Sequence, residues 1–228
     1  MTRKLYDLAA ADGTRFSPFC WRAKLALAHK GLDYETIPWR FTDKAAIAAS
    51  GQDKVPVLVD GANIVSDSQM IADYLERSYP NAPSLYGEPP ARALCMFVKS
   101  WTEGALHPAI AAVVMPDICE RLDPRDQPYF RQTREAMFKR SLEEMAAARP
   151  EAEKTLRATL KPLQRLLAGQ DFIAGEAPNW ADHLVFGALQ WARLISAKPL
   201  FAPDDLVIAW MGRVLAAYGL EGEEARGA

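Results

Sequence analysis

Ser17 and Cys20 are the first residues whose types and spacing suggest chemistry. They lie in Arg15-Phe-Ser-Pro-Phe-Cys-Trp-Arg22, three positions apart, so a helix would set them on one face. Ser17 suits a helix N-cap, and Pro18 suits the first helical position, where a missing N–H costs nothing. Unpaired amides and the positive end of the helix dipole favour an anion there, including a thiolate. The segment offers a seat for a sulfur anion, either the protein's own or a ligand's. Taken alone, Ser17 reads equally as a serine that only starts a helix.

Two further pieces have chemical content. Val55-Pro56 puts a proline in a strand-like run, where it gives up a ladder hydrogen bond. A cis peptide there would leave the Val55 backbone free to pair with an extended ligand, whereas an ordinary edge-strand proline would do nothing of the kind. Asp67-Ser68 opens another helix. A carboxylate could be held by the Ser68 hydroxyl and the amides, and an ammonium by Asp67; plain capping is the alternative.

The elements needed to position these residues are visible in the pattern. Leu5 to Ala9 reads as a strand, residues 17–30 as a helix and Tyr34 to Pro38 as a second strand, an order that predicts a parallel pair with a crossover helix. Residues 43–50 read as a short helix. Val55 to Val59 and Ala62 to Val65 flank Asp60-Gly61, a hairpin signal, and Met70, Ile71, Tyr74 and Leu75 follow at helical spacing. The breaker-rich stretch Pro80 to Pro90 predicts a linker over residues 81–91 between a first domain, 1–80, and a second, 92–228. The second domain has almost no strand signal. Its Ala-, Leu-, Glu-, Lys- and Arg-rich stretches, interrupted at Pro108, Pro116, Pro124, Pro150, Gly169, Gly175 and Pro199, predict a helical bundle.

Composition narrows the function. The 228 residues carry a formal net charge of −2, which argues against a nucleic-acid binder tracking phosphates with a basic stripe. No apolar run approaches the roughly 20 residues needed to cross a bilayer, and the N-terminus has no signal-like apolar centre. Cys20, Cys95 and Cys119 are too far apart in sequence for a disulfide framework or a zinc pattern. His29 and His183 have no partners at metal-ligand spacing, so no metal is expected. A cytoplasmic protein is the default expectation.

In their order and spacing, the strand, Ser-Pro-x-Cys at a helix start, the second strand, Val-Pro, the Asp-Gly hairpin and Asp-Ser resemble the glutathione transferase family over essentially the whole chain. Asn179-Trp-Ala-Asp182 is similar to that family's capping box and hydrophobic staple, with Asn for the usual Ser or Thr. Ser17-Pro-Phe-Cys-Trp-Arg22, His29-Lys-Gly31 and Ile37-Pro-Trp-Arg-Phe-Thr42 look closest to the serine-type branch of bacterial β-aryl etherases and their fungal relatives. The chain departs from the etherases at Trp39-Arg40, where they carry small residues. The resemblance implies an α/β thioredoxin-like N-terminal domain, an all-α C-terminal domain, glutathione as cosubstrate and a homodimer.

It also implies roles. Ser17 would aim its hydroxyl at the glutathione sulfur, Val55 ahead of Pro56 would pair with the cysteinyl backbone, and Asp67 and Ser68 would take the γ-glutamyl group. Lys54, and more weakly Arg40, would meet the glycine carboxylate. A small apolar electrophile would enter between the domains near Trp101, His107, Ala111 and Met115, although such a helical stripe reads as readily as core. His107 is a tempting acid. Cys20 stands at the second cysteine position of a glutaredoxin-like motif whose nucleophile position holds Ser17, so it reads as a small buried residue. Two alternatives stay open: a glutathione-binding interaction protein without turnover, and a Cys20-assisted thiol transferase.

Overall fold

The computed structural model describes residues 2–220; the last eight residues of the second domain, 221–228, lie outside the described residues. Strand β1 (Arg3–Leu8) leads to helix α1 (Pro18–His29) and strand β2 (Tyr34–Trp39). A 3-10 helix over Lys44–Ser50 precedes β3 (Val57–Asp60), β4 (Asn63–Ser66) and α2 (Ser68–Ser78). The sheet order is β2-β1-β3-β4, with β1 parallel to β2 and the other pairs antiparallel. This is the strand-helix-strand unit followed by a hairpin that the sequence predicts. Pairing of Asp60 with Asn63 moves the two-residue turn to Gly61-Ala62. Gly61 has φ +62°, as a turn that needs glycine first requires.

After the linker come α3 (Ala91–Trp101), a π-helical turn (Thr102–Leu106), α4 (His107–Arg121), α5 (Gln127–Phe138), α6 (Leu142–Ala147), α7 (Arg149–Leu167), α8 (Trp180–Ile195) and α9 (Leu206–Ala217). Pro108 therefore does not end a helix. Its missing N–H falls just after the π turn, a common way for a helix to absorb such a defect. Pro116 does not interrupt either: it lies inside α4, among buried Val113, Val114, Met115 and Ile118. Burial of that face outweighs the roughly 3 kcal/mol that an interior proline costs. Pro150 falls in the first turn of α7, where proline is tolerated.

Helix α1 is the hub. It packs between the sheet, α2 and α8, so Trp21, Arg22, Lys24, Leu25 and Leu27 are all buried. One apolar core runs from Leu8, Phe16 and Trp39 in the first domain into Val114, Phe186 and Trp210 in the second. Asn179 and Asp182 form the expected capping box at the start of α8. The Asp182 carboxylate also accepts from the amides of Ile173 and Ala174 and from the Trp210 indole N–H.

Candidate glutathione site

Ser17 caps α1 in extended geometry, and its hydroxyl oxygen accepts from the Cys20 amide at 3.3 Å. That bond uses a lone pair and leaves the O–H to donate. Ser17 is itself buried. Cys20, one turn on, is wholly buried, and its thiol proton points towards the Tyr6 carbonyl oxygen at 3.9 Å. Burial, with the nearby Asp7 charge, pushes that thiol well above its ordinary pKa. Near neutral pH it stays protonated and is a poor nucleophile.

The Val55–Pro56 peptide is cis, and β3 begins only at Val57, so the Val55 backbone stays outside the ladder. The amide of Asp67 donates to the Pro56 carbonyl at 3.3 Å, tying the start of α2 to the cis-proline turn. Asp67 caps α2 through Oδ1, which accepts from the amides of Gln69 at 2.8 Å and Met70 at 3.2 Å. Its other oxygen is left for a cation. Asp67 has φ +72°. A non-glycine residue held there costs on the order of 1–3 kcal/mol, and such strain gathers at ligand-binding sites. Ser68 is buried at the first helical position, and Lys54 is exposed on the approach to Val55.

Other candidates lie elsewhere or take another form. Arg40 is engaged by Asp123 of the second domain. Trp39 is buried and donates its indole N–H to the Asp43 carbonyl at 2.8 Å, so its bulk fills the core. Ala111 and Met115 belong to the core, while His107 and Trp101 are only partly buried. Burial and the Arg22 charge hold the His107 pKa down at about 3, which favours the neutral ring near neutral pH. A cavity of about 490 Å³ opens beside Lys24, Tyr34, Thr36 and Tyr218, and none of Ser17, Val55, Asp67 or Ser68 lines it. Chemistry rather than cavity size marks the site.

One contributor escapes sequence reading. Arg22 is fully buried, donates to Glu103 at 2.8 Å and approaches His107 at 3.2 Å. Burial lowers its pKa overall, while Glu103 and, more weakly, the Asp67 charge favour its charged form. Arg22 therefore joins the Ser17 helix to the second domain. Its partners lie 81 and 85 positions away, beyond any local pattern.

The head of α1 at Ser17, the head of α2 at Asp67 and the Val55 backbone left out of the sheet all belong to one thioredoxin-like domain. Comparison with known proteins identifies the family. The description "Glutathione S-transferase, N-terminal domain" matches residues 13–84, and "Glutathione S-transferase, C-terminal domain" matches residues 93–206. The chain belongs to the glutathione S-transferase family. It is 27% identical over 209 residues to glutathione transferase GST 23 of Zea mays, covering 88% of this chain and 82% of that one. Among solved structures it resembles glutathione transferase GSTFuA3 of Phanerochaete chrysosporium, with a TM-score of 0.84, 26% identity and coverage of 96% and 97%. It shares the fold of a Ceriporiopsis subvermispora glutathione S-transferase solved with glutathione, with a TM-score of 0.78, 24% identity and coverage of 96% and 97%.

Proposed function

We propose that the protein is a serine-type glutathione transferase in which Ser17 activates the glutathione sulfur for attack on a small apolar or aromatic electrophile. The observation that supports this reading is the place of the Ser17 hydroxyl at the head of α1, where its oxygen accepts from the Cys20 amide and its O–H has the capacity to donate. A donated hydrogen bond and the α1 N-terminus both favour the sulfur anion, raising the thiolate fraction near neutral pH. Val55 pairs with the peptide backbone, Asp67 holds the γ-glutamyl ammonium, Ser68 and the α2 amides hold its carboxylate, and Lys54 meets the far carboxylate. Cleavage of an aryl ether is the specific reaction to try first. It rests on the etherase-like motifs alone.

The deciding experiment follows conjugation of glutathione to 1-chloro-2,4-dinitrobenzene at pH 7. Ser17→Ala removes a charge-assisted hydrogen bond of about 1.5–3 kcal/mol, so kcat/KM should fall roughly 10- to 100-fold. Calorimetric glutathione affinity should change far less. Cys20→Ala should retain activity; loss of turnover there, with Ser17→Ala active, would transfer the role to the thiol. Burial of Cys20 argues against that alternative.

A homodimer belongs to the same reading, because Met70 on α2 and Leu94 and Phe97 on α3 leave large apolar side chains exposed, Phe97 at 73%. Sedimentation as a monomer at micromolar concentration would count against it. A cytoplasmic enzyme fits three cysteines that are all unpaired and buried.

A further inference from the structure

The loop over residues 9–16 delivers the chain from β1 to Ser17, and the second domain holds it. The loop first closes on itself. Ala9 bridges to Arg15, the Ala10 amide donates to the Thr14 carbonyl at 2.9 Å, and the Thr14 amide donates to Asp12 Oδ1 at 2.9 Å. The Arg15 carbonyl then accepts from the Trp21 indole N–H on α1 at 2.8 Å. Only Phe16, itself buried, separates that anchor from Ser17.

Arg121, the last residue of α4, meets this loop with both its backbone and its side chain. The last four carbonyls of a helix have no partner within it. The Arg121 carbonyl finds one in the Ala11 amide at 2.9 Å. One terminal nitrogen of its guanidinium donates to Asp12 Oδ2 at 2.7 Å and to the Thr14 hydroxyl at 3.2 Å; the other donates to the Leu194 carbonyl near the end of α8. A planar guanidinium sends its donors in fixed directions, so it sets the loop against two helix ends at once. Burial would raise the Asp12 pKa, but the Thr14 amide and Arg121 outweigh it and hold it down at about 2. The Asp12 carboxylate is therefore charged near neutral pH.

Resting on the transferase reading above, we propose that Arg121 is a positioning residue for that reaction: from the second domain it holds the loop in one setting and so fixes the direction of the Ser17 hydroxyl. Ser17 is the joint. Its own backbone is extended, with φ −62° and ψ 125°, while Pro18 already belongs to α1. The packing of α1 fixes one side of that joint and the loop fixes the other. A loop that swings turns the hydroxyl away from the sulfur without unseating the helix. Asp12 and Arg121 are both partly open to solvent, and such a pair adds little stability. Its effect lies in direction.

The test follows the ionisation of bound glutathione, by the ultraviolet absorbance of its thiolate against pH, together with kcat/KM for 1-chloro-2,4-dinitrobenzene. Arg121→Met keeps the apolar stem and the backbone carbonyl but removes the donors. It should raise the pKa of the bound thiol and lower kcat/KM at pH 6.5 about 5- to 20-fold, while Tm and the calorimetric Kd for glutathione change little. Asp12→Asn, at an exposed position, should shift the thiol the same way by less. On a Ser17→Ala background neither substitution should lower the rate further, because a residue that acts through a hydroxyl loses its effect once the hydroxyl is gone. An unshifted thiol pKa in Arg121→Met, or an equal loss of rate on both backgrounds, overturns the proposal. Should Arg121→Met not fold, Asp12→Asn decides by the same two criteria. If Ser17→Ala raises the thiol pKa and the loop variants do not, this inference fails while the transferase reading stands. If Ser17→Ala changes neither the thiol pKa nor the rate, both fail.

Discussion

Gly187→Ala is the sharpest test of how α1 is held. Gly187 lies mid-way along α8 where that helix crosses the start of α1. A methyl group on it would come within 2.3 Å of the Pro18 carbonyl oxygen, 3.3 Å of the Pro18 carbonyl carbon and 3.1 Å of Arg22 Cγ. Non-bonded heavy atoms need roughly 3.5 Å, so about 1 Å of separation has to be found. The obstructing oxygen is backbone and cannot rotate away, so the two helices must part. Overpacking of this kind costs typically about 1–3 kcal/mol, and a rigid backbone obstacle belongs at the upper end. The better helix propensity of alanine returns up to about 1 kcal/mol. A net loss of about 2 kcal/mol corresponds to a fall in Tm of roughly 4–8 °C for a chain of this size. Because Pro18 follows Ser17 directly, the same displacement moves the hydroxyl proposed to activate the sulfur, and a shift of about 1 Å can cost on the order of 100-fold in rate. Thermal unfolding and steady-state conjugation would be measured on one preparation. A variant that melts within 1 °C of wild type and conjugates at full rate would show that the helix crossing does not constrain the site.

Three other expectations follow from single features. All three histidines have lowered pKa values, His29 and His183 chiefly by burial and His107 to about 3. Below pH 6.5 the unfolded chain therefore binds more protons, and stability should be full above that pH and fall as it drops. His107 alone accounts for about 2 kcal/mol at pH 5, so equal urea midpoints at pH 7.5 and pH 5 would contradict the assignment. Cys20, Cys95 and Cys119 are buried with raised thiol pKa values, so a disulfide reagent at pH 8 should label none quickly until denaturant is added; a burst of one thiol in the native protein refutes this. Asp67→Asn keeps the cap and tolerates the positive φ but loses the charge. Tm should hardly move while the calorimetric Kd for glutathione rises about tenfold; unchanged affinity would remove Asp67 from the site.

Local chemistry was legible in the sequence, and chemistry assembled across the fold was not. Ser17-Pro18, Asp67-Ser68 and Asn179-Trp-Ala-Asp182 announce helix starts because a capping side chain and the amide it meets are two or three residues apart. Val55-Pro56 and Gly61 likewise act on their own backbone. Pro116 misled because a local rule, that proline ends helices, lost to burial on a helix whose neighbours are all core. The stripe Trp101, His107, Ala111, Met115 has helical spacing, but spacing alone does not say which members face a cleft; Ala111 and Met115 turn inward. The surroundings of His107 depend on Arg22 and Glu103, and those of Gly187 on Pro18, contacts that exist only once α8 and the π turn lie against α1.

Helix α1 itself hid its importance for a physical reason. A helix buried on one side shows an apolar stripe, whereas α1 is buried all round and includes Arg22, Lys24 and the following Lys30 among its sealed residues. Each of these cations meets a carboxylate from a different element: Glu103 of the π turn at 2.8 Å, Asp7 of β1 at 2.6 Å and Glu76 of α2 at 2.7 Å. Buried pairs of this kind are weak sources of net stability, because desolvation consumes most of the attraction. Their effect is directional: a rotated or slipped α1 would leave several charges buried without partners, a far larger penalty than the loss of any apolar contact. Three such pairs on three sides fix both the height and the rotation of the helix. The Ser17 hydroxyl at its head thus faces one way because charges along its length leave α1 no other seat.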